Sequence, residues 1–127
     1  MPGDLTEHFS RADFACKDGC GFDAVSMDLV ERLERMRAFL GERIIIESGC
    51  HCPKHNAEVG GATNSAHLTG EAADPRPDGG RWDGNVRFRW VEAALAAGFR
   101  RIGIGPTKIH VDVSRTLPWP VLWLYKK

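Results

Sequence analysis

Ser65-Ala66-His67-Leu68-Thr69-Gly70-Glu71-Ala72-Ala73-Asp74 is the stretch from which the rest of the chain is read. It offers an imidazole and a carboxylate seven residues apart, with Gly70 between them to let the backbone turn. A borderline nitrogen donor and a hard oxygen donor suit zinc. A third candidate lies downstream, in Ile109-His110-Val111-Asp112. Strand alternation there puts His110 and Asp112 on one face and Ile109, Val111 and Val113 on the core face. His67, Asp74 and His110 together would leave the fourth tetrahedral position to water, the pattern of a catalytic ion rather than a structural one. A histidine in a polar loop is also commonly a solvated side chain, and spacing alone leaves both readings open.

Outward from this stretch the periodicities are plain. Ser26 is placed to cap a helix, with Asp28 in its first turn, and Leu29, Val30, Leu33, Met36 and Leu40 recur at helical spacing. The pattern predicts an amphipathic helix over 26–40, stopped by Gly41. Arg43–Ser48 reads as a short buried strand. Gly49 to Gly84 is polar and glycine-rich, holds three of the five histidines and shows little periodicity. So long a stretch without regular structure points to function. Val86, Trp90, Ala93, Ala94 and Ala97 define one face of a helix over 85–97, with Gly98 as its stop. Arg101–Ile104 and Lys108–Val113 read as strands joined by a Gly105-Pro106 turn. Residues 1–24 read as loop, and Leu117–Tyr125 as an irregular flap or an added strand. The order predicts one α+β domain over 1–127, a small antiparallel sheet with flanking helices.

The 127 residues allow one modest core. Formal net charge is zero, which makes no electrostatic case for nucleic acid or an anionic membrane as partner. No apolar run is long enough to cross a bilayer. The start, MPGDLTEHFSR, carries Asp4 and Glu7 and lacks a signal core, so synthesis in the cytoplasm without a signal peptide is expected. The cysteines form two close pairs, Cys16/Cys20 and Cys50/Cys52, each spaced too tightly to bridge easily within itself. Three outcomes stay open: two disulfides between the pairs, a structural zinc held by all four thiolates, or free thiols. His8 and His55 read as surface residues.

Ser65-x-His67-x-x-Gly70-x-Ala72-x-Asp74, then Gly103-x-Gly105 and His110-Val-Asp112, resemble the motifs of the zinc D-Ala-D-Ala carboxypeptidase family of peptidoglycan peptidases. That family shares its fold with the hedgehog signalling domain. Ser48-Gly49, Pro53, Asn56 and Val59-Gly60-Gly61 look like its lead-in block, and Phe9-Ser10 with Phe14-x-Cys16 like the start of compact phage-type members. The resemblance covers residues 8–119. It implies a hedgehog/DD-peptidase-like fold, one catalytic Zn2+ on His67, Asp74 and His110, and the peptide stem of peptidoglycan as substrate. It also implies a monomeric, endolysin-like enzyme that reaches the wall through a phage-type pore.

Two positions depart from the family pattern. Cys50-His51-Cys52 stands where many members have a tyrosine, a carboxylate-gripping arginine and a serine. Pro106, Thr107 and Lys108 stand where several have an acidic base. Cleavage inside the stem is therefore as open as carboxypeptidase action. Asp112 is the first candidate to accept the proton of the zinc-bound water, with Glu71 and Glu47 as alternatives; it could instead orient His110. On the substrate side, His51, Ser65 and Arg115 are the candidates, and Trp82, Trp119 and Trp123 either line a groove or pack in the core and tail. A zinc-holding module that binds wall peptides without cutting them is the alternative function.

Overall fold

The computed structural model describes residues 3–126. In chain order the elements are α1 (Arg11–Phe14), α2 (Met27–Leu40), β1 (Ile44–Ser48), α3 (Pro53–Glu58), a 3-10 turn (Ala66–Thr69), β2 (Ala72–Pro77), α4 (Gly84–Ala96), β3 (Arg101–Ile104), β4 (Ile109–Asp112) and β5 (Val121–Leu124). No helix among the described residues is long and apolar enough to cross a membrane.

Local chemistry sets the two long helices. Ser26 Oγ accepts from the Leu29 N–H at the start of α2, and Gly41 closes it in the left-handed conformation at φ 68°. Asp83 Oδ1 accepts from the Val86 N–H at 3.0 Å and caps α4. Fourteen residues of helix are marginal alone, so packing must supply the stability. Leu29, Val30, Leu33, Met36 and Leu40 are all buried, at about 1.5–3 kcal/mol per large apolar side chain. They meet Trp90, Ala93, Ala94 and Ala97 of α4, and Ile44, Ile46, Ile102, Ile109 and Val111 of the sheet, in one core.

The N-terminal arm is pinned to α2. Glu34 takes the His8 backbone N–H at 2.6 Å on one carboxylate oxygen and His8 Nδ1 at 2.9 Å on the other. Burial pulls the Glu34 carboxyl up, but the two His8 hydrogen bonds outweigh it and leave the carboxyl below its ordinary 4.5. A folded-state pKa below the unfolded one means stability that is complete above pH 4.5 and is lost as pH falls through the folded value. Glu34→Gln is therefore expected to cost about 1 kcal/mol at neutral pH. In urea melts taken at descending pH the gap to wild type should close in the acid range; a gap that persists there would reject the ionised pair as its source.

The sheet runs β1-β2-β4-β3-β5. All neighbours are antiparallel except β5, which runs parallel to β3. The tail is thus an added strand, laid against β3 from Val121 to Leu124. The main correction to the sequence reading falls at Gly49–Gly84. That stretch holds α3, the 3-10 turn and the interior strand β2.

Ala-Ala-Asp-Pro-Arg-Pro is a poor strand sequence, because proline cannot donate to a ladder. The pairing explains why it is tolerated. Ala72 and Ala73 pair with Asp112 and Val111 of β4, while Asp74–Pro77 pair only with β1. Both prolines fall where β2 has one partner, so the missing N–H can face the open side. The β1 register shifts between Ile46 and Ser48, a bulge opposite Asp74. Bulges re-aim side chains at sites of this kind.

Candidate metal centre

Alternation along the strands builds the site. Ile109 and Val111 enter the core, which turns His110 and Asp112 to the other face of the sheet. Ala73 enters the core and leaves Asp74 on that same face. His67 arrives from the 3-10 turn, whose N-cap Ser65 accepts from the His67 N–H at 3.2 Å. Gly70 ends the turn at φ 71° and redirects the chain into β2. Seven residues thus carry the backbone from one donor to the next across a single reversal.

The donor atoms converge. Asp74 Oδ1 lies 3.4 Å from His67 Nε2 and 3.2 Å from His110 Nδ1. Zinc with donors at about 2.0–2.1 Å in a tetrahedron sets neighbouring donors about 3.3 Å apart, so these distances are those of a ready-made cage. Each imidazole also has its second nitrogen tied. His67 Nδ1–H donates to the Gly49 carbonyl at 2.6 Å, which leaves Nε2 with its lone pair toward Asp74. His110 Nε2–H donates to Asp112 Oδ2 at 2.7 Å, which leaves Nδ1 free for an ion. Anchors of this sort fix the tautomer of metal-binding histidines. The donor set therefore fits a divalent metal.

Charge agrees with geometry. Burial would raise the Asp74 carboxyl, but the His110 and His67 rings beside it, when protonated, hold it well below the usual carboxylate range. Burial would lower His110, but Asp112 and Asp74 on either side raise it above the ordinary imidazole value.

The three donors line a cavity of about 460 Å³ whose walls include His51, Ser65, Arg101, Lys108, Trp123 and Tyr125. Gly103 stands opposite His110 in the β3–β4 register. A Cβ at Gly103 would come within 2.6 Å of the Trp123 and Tyr125 rings. Its absence lets Trp123 lie with its ring centroid 5.2 Å from that of His110.

The remaining candidates divide. His51 is buried in the cavity wall, stacked on His67 at 4.2 Å, with Nε2 2.6 Å from Ser48 Oγ. Burial and the neighbouring His67 push its pKa down to about 4, so it is an uncharged lining group at neutral pH. Ser65 lines the cavity as well. Arg115 does not: it is exposed and lines a separate pocket with Arg32 and Trp119. The sequence reading puts it near the site; that pocket adjoins the cavity through Arg101 and Asp112, and Arg115 falls there because β4 ends at Asp112 and the chain turns away through Ser114.

The cations that do line the cavity are Arg101 and Lys108. Arg101 shares its β3 face with Gly103, an alternation that was readable once the strand was assigned. Glu47 pairs with Arg76 and Glu71 with Thr69, both outside the cavity. Trp82 donates to the Gly105 carbonyl and packs edge-on against Trp90, and Trp119 is exposed. His8 is tied to Glu34, and His55 packs edge-on against His51.

The cysteines are free. Cys16, Cys20 and Cys52 do meet across the fold, but Cys50 is not with them: it is buried in the core. Neither two disulfides between the pairs nor a four-cysteine ion describes this arrangement.

Three protein donors that could hold a metal ion face a cavity on an α+β scaffold, with no fourth closing them off among the described residues, the donor arrangement of a hydrolytic rather than a structural site. The family model for Peptidase M15 matches residues 7–114, and the chain belongs to that family, the zinc D-Ala-D-Ala carboxypeptidase family its motifs resemble. No curated protein matches the chain.

Proposed function

We propose that this protein is a zinc metallopeptidase that hydrolyses an amide bond in the peptide stem of bacterial peptidoglycan. The observation that carries the reading is the convergence of His67 Nε2, Asp74 Oδ1 and His110 Nδ1 at the wall of a cavity of about 460 Å³. Membership of the peptidase family supports it. Zinc held there would supply an acidified water and a Lewis acid for the scissile carbonyl. His67 and His110 would present their free nitrogens, and Asp74 its carboxylate oxygen between them. Trp123 and Tyr125 would wall the substrate in and exclude bulk water. Zinc-loaded protein digesting purified sacculi should release new amino groups, and mass spectrometry of the muropeptides would name the bond. Loaded protein that releases none would reject hydrolysis.

Asp112 takes the role of holding His110 in this proposal, in place of the proton acceptor expected from sequence. Its two oxygens are already engaged: Oδ2 by His110 Nε2, Oδ1 by Arg101 Nε at 2.8 Å and the Ser114 N–H at 3.1 Å. In Asp112→Asn the amide oxygen would stay with those two donors and the NH2 would face His110. The imidazole would then carry its proton on Nδ1, where the metal must bind. Zinc affinity is expected to fall 10–100-fold, read by competition with a chelating dye. Unchanged affinity with turnover lost would return Asp112 to the role of base.

Lys108 is the substrate-side cation in this reading, since Arg115 is outside the cavity. Its ammonium lies 4.2 Å over the Tyr125 ring and at the cavity wall. A terminal or side-chain carboxylate of the stem is the partner it fits. Lys108→Ala should raise KM about tenfold and leave kcat within a factor of about three. An equal loss in kcat would place Lys108 in the chemical step.

The second reading, a module that binds wall peptides without cutting them, draws on one observation. Among the described residues, Asp112 is the one carboxylate lining the cavity besides the proposed ligand Asp74, and it is engaged by His110 and Arg101. The sacculus digest decides between the two.

A further inference from the structure

A second cluster of metal-binding side chains lies outside the cavity. Cys16 and Cys20 come from the loop between α1 and α2, and Cys52 from the N-cap of α3. Their sulfurs and a carboxylate oxygen of Asp18 all lie within 4.8 Å of one another. Asp18 sits among the sulfurs, with Cys16 Sγ 3.1 Å from Oδ1 and Cys52 Sγ 2.9 Å from Oδ2. A tetrahedral zinc with thiolates at about 2.3 Å sets its sulfurs about 3.8 Å apart, within the span observed.

Two backbone N–H groups already point at the sulfurs, Cys52 N–H at Cys16 and His55 N–H at Cys52, each at 3.4 Å. Such N–H···S contacts support a thiolate. The Cys16–Cys20 loop closes through Gly19 at positive φ, whose N–H donates to the Cys16 carbonyl at 3.2 Å.

The competing chemistry is a disulfide. Three sulfurs in one cluster cannot all be paired, because Cys50 is buried apart from them. Any bridge among the three would leave one thiol over. An ion satisfies all four groups at once.

We propose that Cys16, Asp18, Cys20 and Cys52 bind a structural zinc ion that clamps the N-terminal arm onto the turn between β1 and α3. On binding, three thiol protons leave to solvent and four protein donors close the ion off, so it takes no part in hydrolysis. The clamp bears on the other site through the backbone. The same turn supplies the Gly49 carbonyl that anchors His67, and its His51 N–H donates to the His67 carbonyl at 2.9 Å.

Metal analysis of the full chain purified with zinc should find two ions. Cys20→Ser should keep one, and His67→Ala/His110→Ala should keep the other. With cobalt in place of zinc, the double histidine variant should retain the sulfur-to-cobalt charge-transfer band in the near ultraviolet, and Cys20→Ser should lose it. Asp18→Asn should weaken the cobalt–thiolate complex at least tenfold, and equal affinity would overturn Asp18 as the fourth donor. The wild-type protein needs no variant to decide the main point. One ion per chain, accompanied by three titratable native thiols or by a disulfide in the unreduced mass, overturns the site. The count at the cysteines is independent of whether the protein cleaves peptidoglycan.

Discussion

His67→Ala and His110→Ala are each expected to abolish hydrolysis, with a loss of three orders of magnitude or more, about 4 kcal/mol of barrier. Each imidazole would supply one of the three donors of the proposed site, and two donors no longer form the cage between Asp74 and the rings. Neither replacement can be covered by a neighbour. His51 stacks on His67, but its ring nitrogens are not among the donors that converge with Asp74 and His110. The folded chain should survive, because the variants remove buried polar rings rather than the apolar core beneath β2 and β4.

Stability supplies a second readout. Zinc held by a preformed cage would favour the native state, so excess zinc should raise the melting temperature of wild type. The part of that rise due to the histidine site should vanish in both variants. Full turnover in either, or an undiminished zinc count, would remove these residues from the metal centre.

Gly70→Ala should be the most damaging single-atom change on the site side of the fold. Gly70 holds φ at 71°, where an L side chain costs about 1–2 kcal/mol. The space is also taken: a Cβ would drive into the Ala24 carbonyl and come within 3.2 Å of the Val25 Cα. Both obstacles are backbone, so neither can swing aside. Overpacking of this kind adds about 1–3 kcal/mol. The contact being strained is a fastening, since the Gly70 carbonyl accepts the Ser26 N–H at 2.8 Å and ties the metal turn to the start of α2.

A loss of about 2–5 kcal/mol in urea unfolding is expected, together with weaker zinc binding, because His67 and Asp74 lie on either side of the hinge. Wild-type stability in Gly70→Ala would mean that the turn relaxes freely. It would then be no part of what positions the donors.

Much of the scaffold was legible because its signals are local. Ser26, Asp28 and Gly41 mark the two ends of α2 in the sequence, and the apolar spacing between them names its buried face. The α4 face Val86, Trp90, Ala93, Ala94 and Ala97 was equally explicit, and all five are buried. Arg101–Ile104 agrees with β3 residue for residue. The interior strand β2 was not legible. Its prolines and aspartate argue against a strand, and only its staggered pairing with β1 and β4 makes that composition acceptable. The same gap hid why Asp74 faces His110, since the β1 bulge opposite Asp74 is a property of the paired strands.

By itself, the sequence determined the donor types and their order, the capped helices, and the glycines at which the chain must turn. These depend on neighbours a few residues away, through caps, periodicity and backbone freedom. The tertiary structure alone decided which groups meet. It set Asp112 between His110 and Arg101, moved Arg115 out of the cavity, brought Lys108 into its wall, and exchanged Cys50 for Asp18 beside the other three cysteines. Those outcomes rest on strand register and on how far each loop travels before it returns, and neither quantity is encoded in any one segment.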